Sequence, residues 1–143
     1  FEVEGTGALL TAKAEVPEGF HYIPLFSPMS GPLLHGFGQV IAAWAGGAFV
    51  RANGPEPRPV AEYRRRLEEI RGGLAVVPDW RSDQSLVRVL APVFVGEGGR
   101  LAGALGVSFH PPTPKDEDLQ SLERAVKDAA RRATRLLGER EAR

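Results

Sequence analysis

The sequence predicts an α+β sandwich, a largely antiparallel sheet with helices packed on it. Three observations carry that prediction. Stretches rich in alternating or β-branched apolar residues lie at both ends of the chain, joined by short glycine turns of hairpin type. Two stretches of helical spacing fall between them, and a third closes the chain. The resulting order is strands, helix, helix, strands, helix, which suits one sheet covered by helices. The 143 residues suit a single domain, and 43% hydrophobic with 25% charged residues is an ordinary globular composition.

The elements follow in order. Phe1–Glu4 and Ala8–Val16 alternate around Gly5-Thr6-Gly7, which reads as a hairpin. Pro17-Glu18-Gly19 makes a second turn, and Phe20–Phe26 resumes as a strand. Pro32 suits the first turn of a helix, where its missing N–H costs nothing. Phe37, Val40, Ile41, Trp44 and Ala45 follow at helical spacing until Gly46-Gly47. Arg51–Pro59, with prolines at Pro55, Pro57 and Pro59, reads as a loop. Pro59 opens a second helix whose apolar stripe is Val60, Tyr63, Leu67 and Ile70, ended by Gly72-Gly73. Arg64, Arg65 and Arg66 are followed by Glu68 and Glu69, so this run reads as a solvated face.

Leu74–Val77 is predicted as a short strand and Pro78–Gln84 as a polar loop around Trp80. Ser85–Val95 is a long apolar strand, turned by Gly96-Glu97-Gly98-Gly99 into Arg100–Phe109. Alternation in that second strand places Leu101, Gly103, Leu105, Val107 and Phe109 on one face. Ala102, Ala104, Gly106 and Ser108 then make an unusually small opposite face. Such a face lets a helix pack closely or leaves a hollow for a ligand. The last helix starts with Thr113 as N-cap and Pro114 at its first position, and Gly138 is expected to close it.

Composition narrows the function. Eighteen basic and eighteen acidic residues give zero formal charge. That balance argues against this segment itself gripping DNA or an anionic membrane. There is no cysteine, which favours a reducing cytoplasm. No apolar run reaches membrane-spanning length, and Phe1-Glu2-Val3-Glu4 does not resemble a signal peptide. The chain opens as if inside a strand and is read as a fragment of a longer protein.

No catalytic set emerges. His21, His35 and His110 are isolated in sequence, with no partner at metal-ligand spacing, so neither metal nor cofactor is expected. Ser108 is not in a nucleophile elbow, and the carboxylates cluster on helix surfaces. Gly96–Gly99 joins two strands and is a turn, not a phosphate cradle. Gly36-Phe37-Gly38 falls at a helix start, where exposed N–H groups attract anions, or where glycine simply permits close packing. Arg88 is the only charge between Ser85 and Val95. A buried guanidinium needs a partner. An internal pair to Asp79 or Asp83, a strand edge open to water, and a ligand carboxylate or phosphate all remain open.

Taken together, these segments resemble the effector-binding domain of the isocitrate-lyase-regulator (IclR) family of transcription factors. The residues that carry the resemblance are Pro32-Leu33-Leu34-His35-Gly36 entering a helix, then Leu67–Val76 with its Ile70-Arg71 and Gly73. Leu90-Ala91-Pro92-Val93, a glycine turn, Ala104-Leu105-Gly106-Val107-Ser108 and the helix from Thr113-Pro114 complete it. The resemblance implies a GAF-like sandwich spanning 1–143 as one sensor domain, with a winged helix-turn-helix upstream. It implies a small-molecule effector such as an organic acid, a homodimer or tetramer, and DNA contact only through the other domain. By position it points to Tyr22, Gly38, Gln39, Leu86, Arg88, Gly106 and Ser108, beside the Gly36 and Asp79 picked out above. The chain departs from the family where Val40-Ile41 replaces Gly-Lys, where Arg88 stands for a common Cys, and where Gly106 stands for a common Ser. The acidic loop is reduced to Asp79 and Asp83 around Trp80. The competing reading is a GAF-like dimerisation module with a degenerate pocket; a small hydrolase or isomerase has no seat for its chemistry.

Overall fold

The computed structural model describes residues 1–13, 26–80, 86–96, 99–109 and 114–141. Strands β1 (Glu2–Glu4) and β2 (Gly7–Leu9) form the first hairpin, with Gly5 at φ 57° in the turn. Residues 26–29 return beside β2: Leu10 N–H donates to Ser27 O and Met29 N–H to Ala8 O. The expected turn at Pro17–Gly19 and most of the strand Phe20–Phe26 lie outside the described residues. Helices α1 (Gly36–Ala45), α2 (Gly47–Ala52) and α3 (Val60–Arg71) follow. Then come β3 (Val87–Val95), β4 (Arg100–Phe109) and α4 (Asp116–Glu141). The sheet order is β2-β1-β4-β3, antiparallel throughout.

The sheet separates two cores. On one side α1 and α3 pack through Val40, Ile41, Tyr63, Leu67 and Ile70 against Leu90 and Ala104. On the other, α4 packs Val126 and Ala130 against Val89, Ala91 and Val93. The predicted α+β sandwich is the observed architecture, and no helix among the described residues is long and apolar enough to cross a membrane.

Several elements differ from their sequence reading, each for a physical reason. The first helix starts at Gly36 rather than at Pro32, because its first N–H is capped from a distance by Asp79 at 2.7 Å. Pro32 lies in the preceding turn. The expected loop from Arg51 is entered only at Asn53, since α2 fits between Gly46, at φ 76°, and that residue. Asn53 closes α2 by donating its side-chain N–H to Phe49 O at 2.8 Å and to Thr6 O. Leu74–Val77 contributes one bridge, Val76 to Val89, rather than a strand, because Pro78 cannot donate to a ladder. Helix α4 begins at Asp116, two residues past Pro114, and runs through Gly138 to Glu141. An isolated glycine costs a helix about 1 kcal/mol and does not end it.

The β3–β4 register carries the largest correction. Val93 pairs with Gly103 but Phe94 with Leu101, leaving Ala102 as the extra residue of a bulge. Leu101 therefore faces the α1 core, while Ala102 joins Leu105 and Phe109 on the α4 side. Beyond the bulge, Ala104, Gly106 and Ser108 share the α1 face as the alternation predicts, and that face is where the candidate site is built.

Candidate functional site

Arg88 and Ser108 are direct cross-strand partners, so both side chains leave the sheet on the α1 side. Arg88 is 6% exposed, yet every part of its guanidinium has a partner. Nε and Nη2 donate to the two carboxylate oxygens of Asp79, at 3.0 and 2.8 Å. Nη1 donates to Ser108 Oγ at 3.0 Å, and Nη2 lies 3.1 Å from His35 Nε2. The same Asp79 carboxylate accepts the N–H of Gly36 at the start of α1. Of the alternatives for Arg88, the internal pair with Asp79 is present, and Asp83 lies outside the described residues. The anion expected at the helix start is therefore a side chain of this protein.

Electrostatics follow from that geometry. Burial alone would raise the Asp79 carboxyl, but the Arg88 hydrogen bond, the Gly36 N–H and the Arg88 charge outweigh it and hold it below the ordinary value. Burial, then the neighbouring Arg88 charge, push His35 down to about 4, with Asp79 opposing. His35 is thus neutral at pH 7. Arginine has donors only, so Nε2 must present its lone pair and Nδ1 must carry the proton. That Nδ1 is buried without a partner among the described residues. The His35 ring packs against Phe1 and Phe37, with centroids 5.9 and 5.8 Å away. A groove of about 410 Å³ opens beside these rings and reaches Gly106 and Arg140.

Of the residues singled out in the sequence, Gly36, Asp79, Arg88 and Ser108 converge. Gly36 owes its identity to close approach: a β-carbon there would stand 2.4 Å from Val77 O and 2.9 Å from Arg88 Cδ. Gly38 packs against the Pro32 backbone, and Gly106 lies under Leu90, whose Cδ2 would be 2.4 Å from an added β-carbon. Both serve close packing here. Gln39, fully buried, donates to Leu34 O and Pro78 O and ties the Asp79 loop to α1. Leu86 is buried just ahead of β3. Tyr22 lies outside the described residues. His35 is the member that sequence reasoning left isolated; its neighbours come from β3, the Asp79 loop and the first residues of the chain. Its place in Pro32–Gly36 was the signal available. Among the described residues no cluster of metal-ligating side chains is present.

A helix-covered antiparallel sheet, with polar groups gathered at the first helix start on one face, defines an α+β sandwich. Within that class the fold is that of IclR-type regulators. The chain superimposes on IclR of Thermotoga maritima with a TM-score of 0.74 at 18% identity, covering 96% of this chain and 59% of that one. For the repressor BlcR of Agobacterium tumefaciens the values are 0.71, 15%, 96% and 58%. For a C-terminal domain assigned to a transcriptional regulator of Vibrio cholerae they are 0.68, 22%, 91% and 80%. The chain thus spans under two thirds of the two longer regulators. No protein-family model and no curated protein matches it by sequence.

Proposed function

We propose that this chain is the effector-sensing domain of an IclR-type transcription regulator and is not an enzyme. It controls DNA binding by a separate helix-turn-helix domain and works as a homodimer or tetramer in the cytoplasm. The effector is a small organic acid. The observation that carries this reading is the Arg88 cluster: a fork of arginine donors and a helix N–H already aimed at one carboxylate. A ligand carboxylate replacing that of Asp79 would find the same donors, so the exchange is like for like. Ser108, which is exposed, is the side from which a ligand reaches the guanidinium.

A specific observation favours a second reading. Leu90 occupies the space over Gly106, and Asp79 satisfies Arg88 without a ligand. The domain would then be a dimerisation module whose pocket has closed on itself. Thermal-shift screening of short mono- and dicarboxylates against the wild type and Arg88→Met separates the two. Saturable stabilisation of the wild type alone supports sensing. No stabilisation by any acid supports the closed module.

A further inference from the structure

A second cleft, of about 510 Å³, lies between α1, α2 and α3, away from the Arg88 cluster. Its floor is apolar, with Ala42 and Leu67 buried in it. Charges of both signs stand around that floor. Arg64 closes on Glu56 through two hydrogen bonds of 2.8 and 2.6 Å. Glu68 stands four residues after Arg64 and three before Arg71, spacings at which helical ion pairs ordinarily form. Neither pair forms. Arg64 is turned to Glu56, and Arg71 donates through Nε to the carbonyl of Ala43. Among the described residues the Glu68 carboxylate has no hydrogen-bond or ion-pair partner, nor does the Arg51 guanidinium across the cleft. Arg71, held at Nε, keeps its two outer nitrogens as an open fork.

Gly47 sets the position of Arg51. A β-carbon on Gly47 would stand 2.9 Å from Arg51 Nη1, so the guanidinium lies over the bare glycine backbone. We propose that this cleft binds a zwitterion with the chemistry of an α-amino acid. Its carboxylate sits on Arg51 and Arg71, its ammonium on Glu68, and its side chain on the Ala42–Leu67 floor. A simple anion leaves Glu68 unmatched and is repelled by it, whereas a simple cation meets two guanidinium groups. Only a ligand carrying both charges matches all three.

The test is calorimetric titration of the whole chain with a panel of common L-α-amino acids. For each binder, the matching amine without the carboxylate and the matching acid without the ammonium serve as controls. At least one amino acid is expected to bind, with the amine control weaker by about tenfold or more, the change carried by one charge-assisted contact. Glu68→Gln is expected to weaken the amino acid by a similar factor while the deaminated acid, relieved of the Glu68 charge, binds as well or better. Gly47→Ala favours the helix and displaces only the flexible end of Arg51, so it is expected to weaken binding with folding intact. Binding by no amino acid, or affinity in Glu68→Gln within about twofold of wild type, overturns the proposal.

Discussion

Removing the Asp79 carboxylate is the perturbation whose cost can be worked from the structure. Asp79→Ala leaves the Arg88 guanidinium, 8% exposed in its side chain, with only Ser108 and His35 as partners among the described residues. It also uncaps the Gly36 N–H. Deleting one partner of a buried ion pair costs about 3–5 kcal/mol. Asp79 itself keeps 18% of its side-chain exposure, which lets water reach the gap and places the loss near the low end, about 3 kcal/mol. Urea denaturation at neutral pH followed by circular dichroism reads that loss. Arg88→Met combined with Asp79→Ala should recover much of it, since an apolar replacement of both partners removes the stranded charge. Acetate or formate should also restore stability to Asp79→Ala, by about 1.4 kcal/mol at ten times its dissociation constant. A loss under about 1 kcal/mol, or a double variant no more stable than Asp79→Ala, would refute the reasoning.

Four further outcomes are expected. Neutral His35 must take up a proton on unfolding: the folded state binds fewer protons between about 6.5 and about 4, so stability falls as pH drops through that window, by on the order of 2–3 kcal/mol. His35→Phe should flatten that slope in urea titrations, and an unchanged slope would exclude His35 as its source. Heteronuclear NMR of the ring should find the Nδ1–H tautomer at neutral pH; an Nε2–H tautomer would mean that Arg88 does not donate to it. Gly106→Ala, whose new carbon would stand 2.3 Å from Val89 O and 2.4 Å from Leu90 Cδ2, should destabilise by about 1–3 kcal/mol, while a neutral outcome would show that the β3 backbone and Leu90 both yield freely. Tyr63→Phe should be neutral or stabilising by about 1 kcal/mol, because the buried hydroxyl has no partner among the described residues; a clear loss would reveal one.

The fold was legible because periodicity and turn chemistry act locally. The β3–β4 hairpin, the α3 stripe and the length of α4 all follow from spacing alone. What spacing could not show was the bulge at Ala102, where one extra residue exchanges the faces of Leu101 and Ala102. The start of α1 was also hidden, since its cap is a carboxylate 43 residues further along. At the site, a lone arginine in an apolar strand was a sound signal, because buried charge demands compensation. The identity of the compensating group depended on how the Asp79 loop crosses α1, which is a tertiary fact. The role of His35 depended on the same crossing.

The central claim is that the carboxylate held by Arg88 and Gly36 is exchangeable, and an NMR titration addresses it most directly. The wild-type chain would be titrated with short carboxylic acids at neutral pH, following the Arg88 Nε–H and the Gly36 N–H. Both groups bond Asp79, so displacement of that carboxylate should shift the two signals together, saturably and with one dissociation constant. Arg88→Met should abolish the Gly36 shift. If both signals stay fixed across the acids tested, Asp79 is a permanent occupant and the domain does not sense through this site.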